Sequence, residues 1–180
     1  MMKFALFLSM VFKVFYKLRY GKHVSFGKRV IMGHRLRFRG QGKLIIGNDV
    51  NLWAHEERNR FHTYDAEAVI QIGDRSRING IFVHCKKSVI LGEDCLVGSC
   101  TLLDTDFHAI DFEKRKNHDA GVSKPILIGN KVWLAGQSAV LKGVTIGERA
   151  VVGFRAVVSK DVPAKAVVAG NPAQVVKVLN

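Results

Sequence analysis

The stretch that decides the fold is IGNKVWLAGQSAVLKGVTIGERAVVGFRAVVSKDVP, Ile128 to Pro163. Cut into blocks of six, it opens every block with an aliphatic residue: Ile128, Leu134, Val140, Ile146, Val152 and Val158. The fifth position is always small or β-branched: Val132, Ser138, Val144, Ala150, Ala156 and Val162. A hexapeptide of this kind is one short strand plus one turn. Three of them close a triangular coil, and the coils stack through backbone hydrogen bonds along the stack. The aliphatic of each block then points inward and forms a continuous ladder, with the small residue near the corner. The expected architecture is all-β, a parallel β-helix.

The same period runs upstream. LGEDCL and VGSCTL start at Leu91 and Val97, IGDRSR at Ile72 and IGNDVN at Ile46, and Phe26, Met32, Phe38 and Leu44 carry it into the first quarter. The glycines that follow the aliphatics, Gly47, Gly73, Gly92, Gly129 and Gly147, are 26, 19, 37 and 18 residues apart. Eighteen residues make one coil. The excess of the first gap falls in HEERNRFHTYDAE, residues 55–67, and the longest gap contains a polar excursion over 104–124. Both read as loops on a regular prism spanning 21–165. Glycine is expected to serve the turn through its tolerance of φ > 0. A coil cannot bury its own end, so residues 1–20 and the tail 166–180 are expected to cap the prism.

At 180 residues and 48% hydrophobic the chain suits one ordered domain. Cys85, Cys95 and Cys100 form no CxxC pair, which argues for buried thiols in a reduced compartment. Residues 1–43 hold eleven Lys or Arg and no acid, and the remainder is almost balanced. A basic end of this kind favours an anionic surface or ligand. Within it, MMKFALFLSMVFKVFYKLRY has no apolar run long enough to span a bilayer. It reads as an amphipathic helix with Lys3, Ser9, Lys13 and Lys17 on one edge. Phe4, Leu8, Val11, Phe12, Phe15 and Leu18 form the apolar face. That face either packs on the protein or a sister subunit, or lies in the cytoplasmic membrane interface. The expectation is a cytoplasmic protein with peripheral membrane contact through residues 1–43. No nucleic-acid partner is expected, since no reader module is recognisable.

From about Ile72 to Lys177 the chain resembles the hexapeptide-repeat acyltransferases, left-handed parallel β-helices. It is most similar to the branch of galactoside and maltose acetyltransferases and of polysaccharide O-acetyltransferases. The block KDVPAKAVVAGNPAQVVK is the most specific part. The resemblance implies a left-handed coil, a homotrimer with sites between neighbouring prisms, acetyl-CoA as donor substrate and a sugar acceptor. It implies an O-acetyltransferase acting on a surface-polysaccharide, capsule or lipopolysaccharide intermediate by direct transfer. The alternatives are an N-acetyltransferase on an amino-sugar nucleotide and a non-enzymatic membrane scaffold.

Such a transfer needs a base, donors for the developing oxyanion and a cleft for the pantetheine arm. His108, in DTDFH, matches the family's catalytic histidine. Asp106, two residues before it, would share its side of an extended chain and could orient the imidazole, with Asp104 the second candidate. His84 precedes His108 by 24 residues, a coil plus a hexapeptide, and could contact the sugar; His118 reads as a solvated loop residue. The resemblance assigns Trp133 to the donor cleft and the backbone N–H of Gly136 to the oxyanion. It assigns Ser159 and Lys160 to the adenine end and Lys177 to the 3′-phosphate, with Lys142 a weaker cation. Two departures stand out. Leu134-Ala135 replaces Ile-Gly, which is tolerable only if Ala135 is not left-handed. Gly153-Phe154-Arg155-Ala156 replaces Gly-Ala-Gly-Ser, so Phe154 either stacks on CoA or shifts its path. A zinc-bearing relative of the same prism would need an HxxxxH pair, and the seven histidines offer none, so no metal is expected.

Overall fold

A computed structural model describes residues 2–116 and 121–180, without the side chains of residues 2–4. His118 and the side chains of Lys3 and Phe4 therefore lie outside the described residues.

The chain is a left-handed parallel β-helix. Three parallel sheets form its faces, in strand orders that step through the coils one by one. The first face runs from Val24–Phe26 to Thr145–Ile146, the second from Ile31–Met32 to Ala166–Ala169, and the third from Leu36–Arg39 to Val157–Val158. Every hexapeptide aliphatic from Ile128 to Val158 is buried, and so is every fifth-position residue from Val132 to Val162. All of them but Ser138 join one continuous core with Phe61, Leu36, Ile70 and Leu102.

The corners obey a rule different from the one expected. The residues with positive φ are mostly not glycines: Arg29, Asp49, Arg75, Asp94, Lys131, Gln137, Arg149, Arg155 and Lys165. These residues sit at position four of their blocks, and their side chains reach solvent. Along one corner these side chains pair between coils. Arg29 bonds Asp49, Arg75 bonds Asp94 and Glu93, and Lys131 approaches Glu148. The position-two glycines do another job. A Cβ on Gly73 would overlap the backbone of Gly92, and one on Gly147 would overlap that of Ala164. These glycines are required by coil-to-coil approach. Ala135 is not left-handed; Gln137 is, so the Leu134-Ala135 departure costs nothing.

Residues 55–67 are not simply a loop. Asn59–Thr63 is a strand of the third face, paired with Leu36–Arg39 and Phe82–Cys85. Its period-two pattern turns Asn59, Phe61 and Thr63 inward. Only the short segments flanking it leave the prism. The prism also runs past residue 165, since Val167 and Val168 pair in parallel with Val151 and Val152. Gln174–Val178 then folds back antiparallel on that last strand.

The helix Met2–Tyr20 covers the open end of the first coil, and it docks by its polar edge. Ser9 Oγ bonds the Met32 carbonyl and accepts from the Met32 N–H, while the Tyr16 hydroxyl donates to the Leu36 carbonyl at 2.6 Å. Tyr20 reaches the Phe38 carbonyl and Lys13 the Gly27 carbonyl. The physical reason is the strand edge itself: carbonyls with no next coil need donors, and an apolar helix face offers none. Phe7, Met10, Val11, Val14, Phe15 and Leu18 consequently face away from the prism, Leu18 at 83% exposure. Of the expected apolar face, Phe12 packs partly on the core and Leu8 is half-buried.

Candidate active site

The excursion after Thr101–Leu103 leaves the prism at the edge between the third and first faces and is pinched at its base. Thr105 and Ser123 form an antiparallel bridge, and Ser123 Oγ donates to Thr105 Oγ1 at 2.9 Å. The Asp106 N–H reaches the Val122 carbonyl and the Lys124 N–H the Asp104 carbonyl. The coil resumes at Ile126, in register with Val89.

His108 sits just beyond this neck, with its side chain exposed. Its backbone is tightly placed. The His108 N–H donates to the Asp106 carbonyl at 2.7 Å, and Phe107 before it is left-handed at φ 61. That conformation is uncommon for a bulky residue and persists only where the surroundings enforce it. Here the Phe107 ring meets Tyr64 edge-on at 5.0 Å and His84 at 5.3 Å, and Gly121 allows the chain to pass close behind it.

The two candidate carboxylates do other work. Asp104 is fully buried and accepts the N–H groups of Lys86 and Lys87, each at 2.7 Å. Burial pushes its carboxyl above the ordinary range, although these bonds oppose the shift. Asp106 pairs with Lys142 at 2.6 Å, so its side chain points to the prism while its carbonyl holds His108. No side-chain bond joins either carboxylate to the His108 imidazole among the described residues. Lys142 correspondingly points to this neck rather than standing free for a phosphate.

His84 lies on the outer side of the third face, its Nδ1 2.7 Å from the Tyr64 hydroxyl. His62 stands one coil below, 5.9 Å away ring to ring. Burial, then the neighbouring His62 and Arg60, lowers the His84 pKa; burial, then Arg39 and Arg60, lowers that of His62. Tyr64, His62 and Phe107 were not singled out from the sequence. The signal was available, because the inward Asn59, Phe61 and Thr63 leave Arg60, His62 and Tyr64 pointing out. A folded-state His pKa below its unfolded value adds stability that is whole above the unfolded pKa and is lost as pH falls through the folded one. We therefore expect thermal stability to drop between pH 7 and pH 5, and the drop to shrink in the double variant His62→Gln/His84→Gln, read by unfolding midpoints across pH.

The remaining candidates divide between two edges of the prism. Gly136, Gly153 and Phe154 turn the corner between the second and third faces, next to Trp133, which is 47% exposed on the second. The Phe154 ring is 60% exposed and packs along this corner over Gly136. The Gly136 N–H has no acceptor among the described residues, which suits an oxyanion donor. Ser159 and Lys160 lie on the other edge, above the neck, and Lys177 on the antiparallel tail strand. Among the described residues, one chain thus carries the exposed His108 imidazole at one edge and two exposed aromatic rings beside an unpaired N–H at another. The thiols are poor nucleophiles: all three are buried and free, and burial pushes Cys100 up to about 12.

No family model matches the chain. It is 37% identical over 93 residues to galactoside O-acetyltransferase of Escherichia coli (strain K12), covering 52% of this chain and 45% of that one. A solved polysialic acid O-acetyltransferase superposes with a TM-score of 0.69 at 26% identity, covering 86% of this chain and 74% of the other. A hexapeptide-repeat acetyltransferase of Vibrio cholerae O1 biovar eltor, solved with acetyl coenzyme A, gives a TM-score of 0.66 at 23% identity over 93% of this chain and 78% of that one. This chain is homologous to the acetyltransferases of this fold. It spans about half the length of the curated relatives it matches. The sequence likeness covers 52% of this chain, and the likeness of fold extends to 86–93% of it.

Proposed function

We propose that this protein transfers an acetyl group from acetyl-CoA to a hydroxyl of a sugar in a surface-polysaccharide intermediate. The observation that carries the proposal is His108, an exposed imidazole on a backbone fixed by the pinched neck and by left-handed Phe107. His108 takes the proton of the attacking hydroxyl and passes it to the departing thiolate, with no covalent enzyme intermediate. Gly136 offers its unpaired N–H where negative charge gathers on the thioester oxygen. Trp133 and Phe154 give the flat walls a pantetheine arm would lie on. Asp106 is a positioning residue, acting through its carbonyl.

Base and oxyanion donor sit on different edges of one prism, so a complete site needs two copies. This supports a homotrimer in which His108 of one copy meets Gly136 of the next. Incubating a panel of nucleotide-linked and lipid-linked glycans with acetyl-CoA, followed by mass spectrometry, tests the function. Gain of one acetyl group is expected; no acetylated product from any sugar would remove the reading.

The outward helix face supports contact with an anionic membrane. No helix among the described residues is long and apolar enough to cross one. Seven large apolar side chains of the helix, Leu6 among them, are nevertheless exposed, and residues 1–43 bear eleven bases and no acid. A helix so built lies flat in the headgroup region. The double variant Val14→Glu/Leu18→Glu should lose at least tenfold in partition to vesicles of anionic phospholipid while keeping its thermal midpoint. Unchanged partition would refute the contact.

A further inference from the structure

A hollow of about 870 Å³ lies on the third face beside the helix end, and His108 is not on its wall. Its wall carries Arg19, Arg37, Arg39, Arg58, Arg60 and His62. Glu57 is the one acid on the wall, and it forms no ion pair among the described residues. None of the five arginines is ion-paired among them either. Arg60 is the most constrained: its Nε is buried with no partner, and its guanidinium lies over Phe82 at 4.2 Å. A cluster of unpaired cations repels itself, and a buried donor left unmade is costly, so the arrangement is suited to a bound anion.

The ladder gives the cluster its shape. Arg37 is in register with Arg60, and Arg39 with His62. Their outward side chains are thus about one strand spacing, ~4.8 Å, apart. The long arginine side chains of two adjoining rungs can converge on two phosphoryl groups joined through one oxygen. Guanidinium forks match phosphate oxygens bidentately. The hollow also leads to the candidate base. His62 meets Phe82 at 4.9 Å, Phe82 meets His84 at 3.9 Å, and His84 meets Phe107, the neighbour of His108.

We propose that this hollow binds the diphosphate that joins an activated sugar to its carrier, with the sugar extending along the His62–His84 ladder toward His108. The inference rests on the sugar-acetylating function proposed above and names the class of acceptor. Two carriers share this chemistry, a nucleoside and a membrane lipid.

Calorimetric titration of the full chain with inorganic pyrophosphate, UDP and farnesyl diphosphate tests it, with CoA titrated in the same samples. Pyrophosphate should bind, with an affinity that falls steeply with salt. It should lose tenfold or more in Arg37→Gln/Arg39→Gln, both exposed positions, and in Arg60→Gln, while CoA affinity stays within twofold. Tighter binding of UDP than of farnesyl diphosphate assigns a nucleotide carrier, and the reverse a lipid carrier; either supports the proposal. Pyrophosphate affinity unchanged in the arginine variants overturns it. So does a parallel loss of CoA affinity, which would give the hollow to the donor, or binding of trigalacturonate without pyrophosphate. If CoA binds and pyrophosphate does not, the diphosphate site falls and the acetyl-transfer reading stands. If pyrophosphate binds and CoA does not, the reverse holds.

Discussion

Replacing His108 with alanine is expected to lower the proposed acetyl transfer by roughly 10²–10⁴-fold, the range a positioned general base contributes. The side chain is exposed, so the substitution removes no core contact, and the folded state should survive it unchanged. The loss should fall on kcat, because the imidazole acts on a proton that moves only in the transition state. CoA affinity, measured by titration, should be untouched. A decrease below tenfold would move the role elsewhere. His84 is then the next imidazole to test, bonded to Tyr64 and close to Phe107.

Removing the Asp104 carboxylate is expected to cost stability, about 2–5 kcal/mol for Asp104→Ala. Two backbone N–H groups, of Lys86 and Lys87, would lose a charged acceptor in a buried setting. The turn they belong to begins the next coil, and the neck of the excursion starts at the same residue. Chemical denaturation measures the loss, and turnover per folded molecule at low temperature measures what remains. Near-normal turnover in the folded fraction is the expected outcome. A collapse of turnover with intact stability would return Asp104 to the chemistry. Asp106→Asn should change turnover less than tenfold, because the contact that holds His108 comes from its carbonyl.

The prism was legible because its rule is short-ranged. An inward aliphatic every six residues is a local pattern, and all six from Ile128 to Val158 are buried. Three features were not legible. Hydropathy left open which way the helix faces, since it is blind to the carbonyls of Met32, Leu36 and Phe38 that recruit Ser9, Tyr16 and Tyr20. Counting residues between glycines hid the Asn59–Thr63 strand, although its alternation marks it. Spacing along the chain could not assign Asp104 and Asp106, because the partners that claim them, Lys86, Lys87 and Lys142, come from other coils. The candidate base itself was marked by its place at the start of the one long interruption. The arginine hollow needed the register, which brings Arg37 beside Arg60 from positions 23 residues apart.

The reversed tail strand has a consequence for how the protein behaves when crowded. A stack of parallel coils is an open template: its last rung could accept the first rung of another molecule and grow without limit. Here the last rung is taken by Gln174–Val178, which runs the opposite way, and the first is taken by hydroxyls of a helix. On the second face, neither end presents a ladder of the polarity that another prism would extend. Growth along that face is opposed by direction at one end and by chemistry at the other. Truncating the chain before residue 174 should expose this hazard as concentration-dependent light scattering.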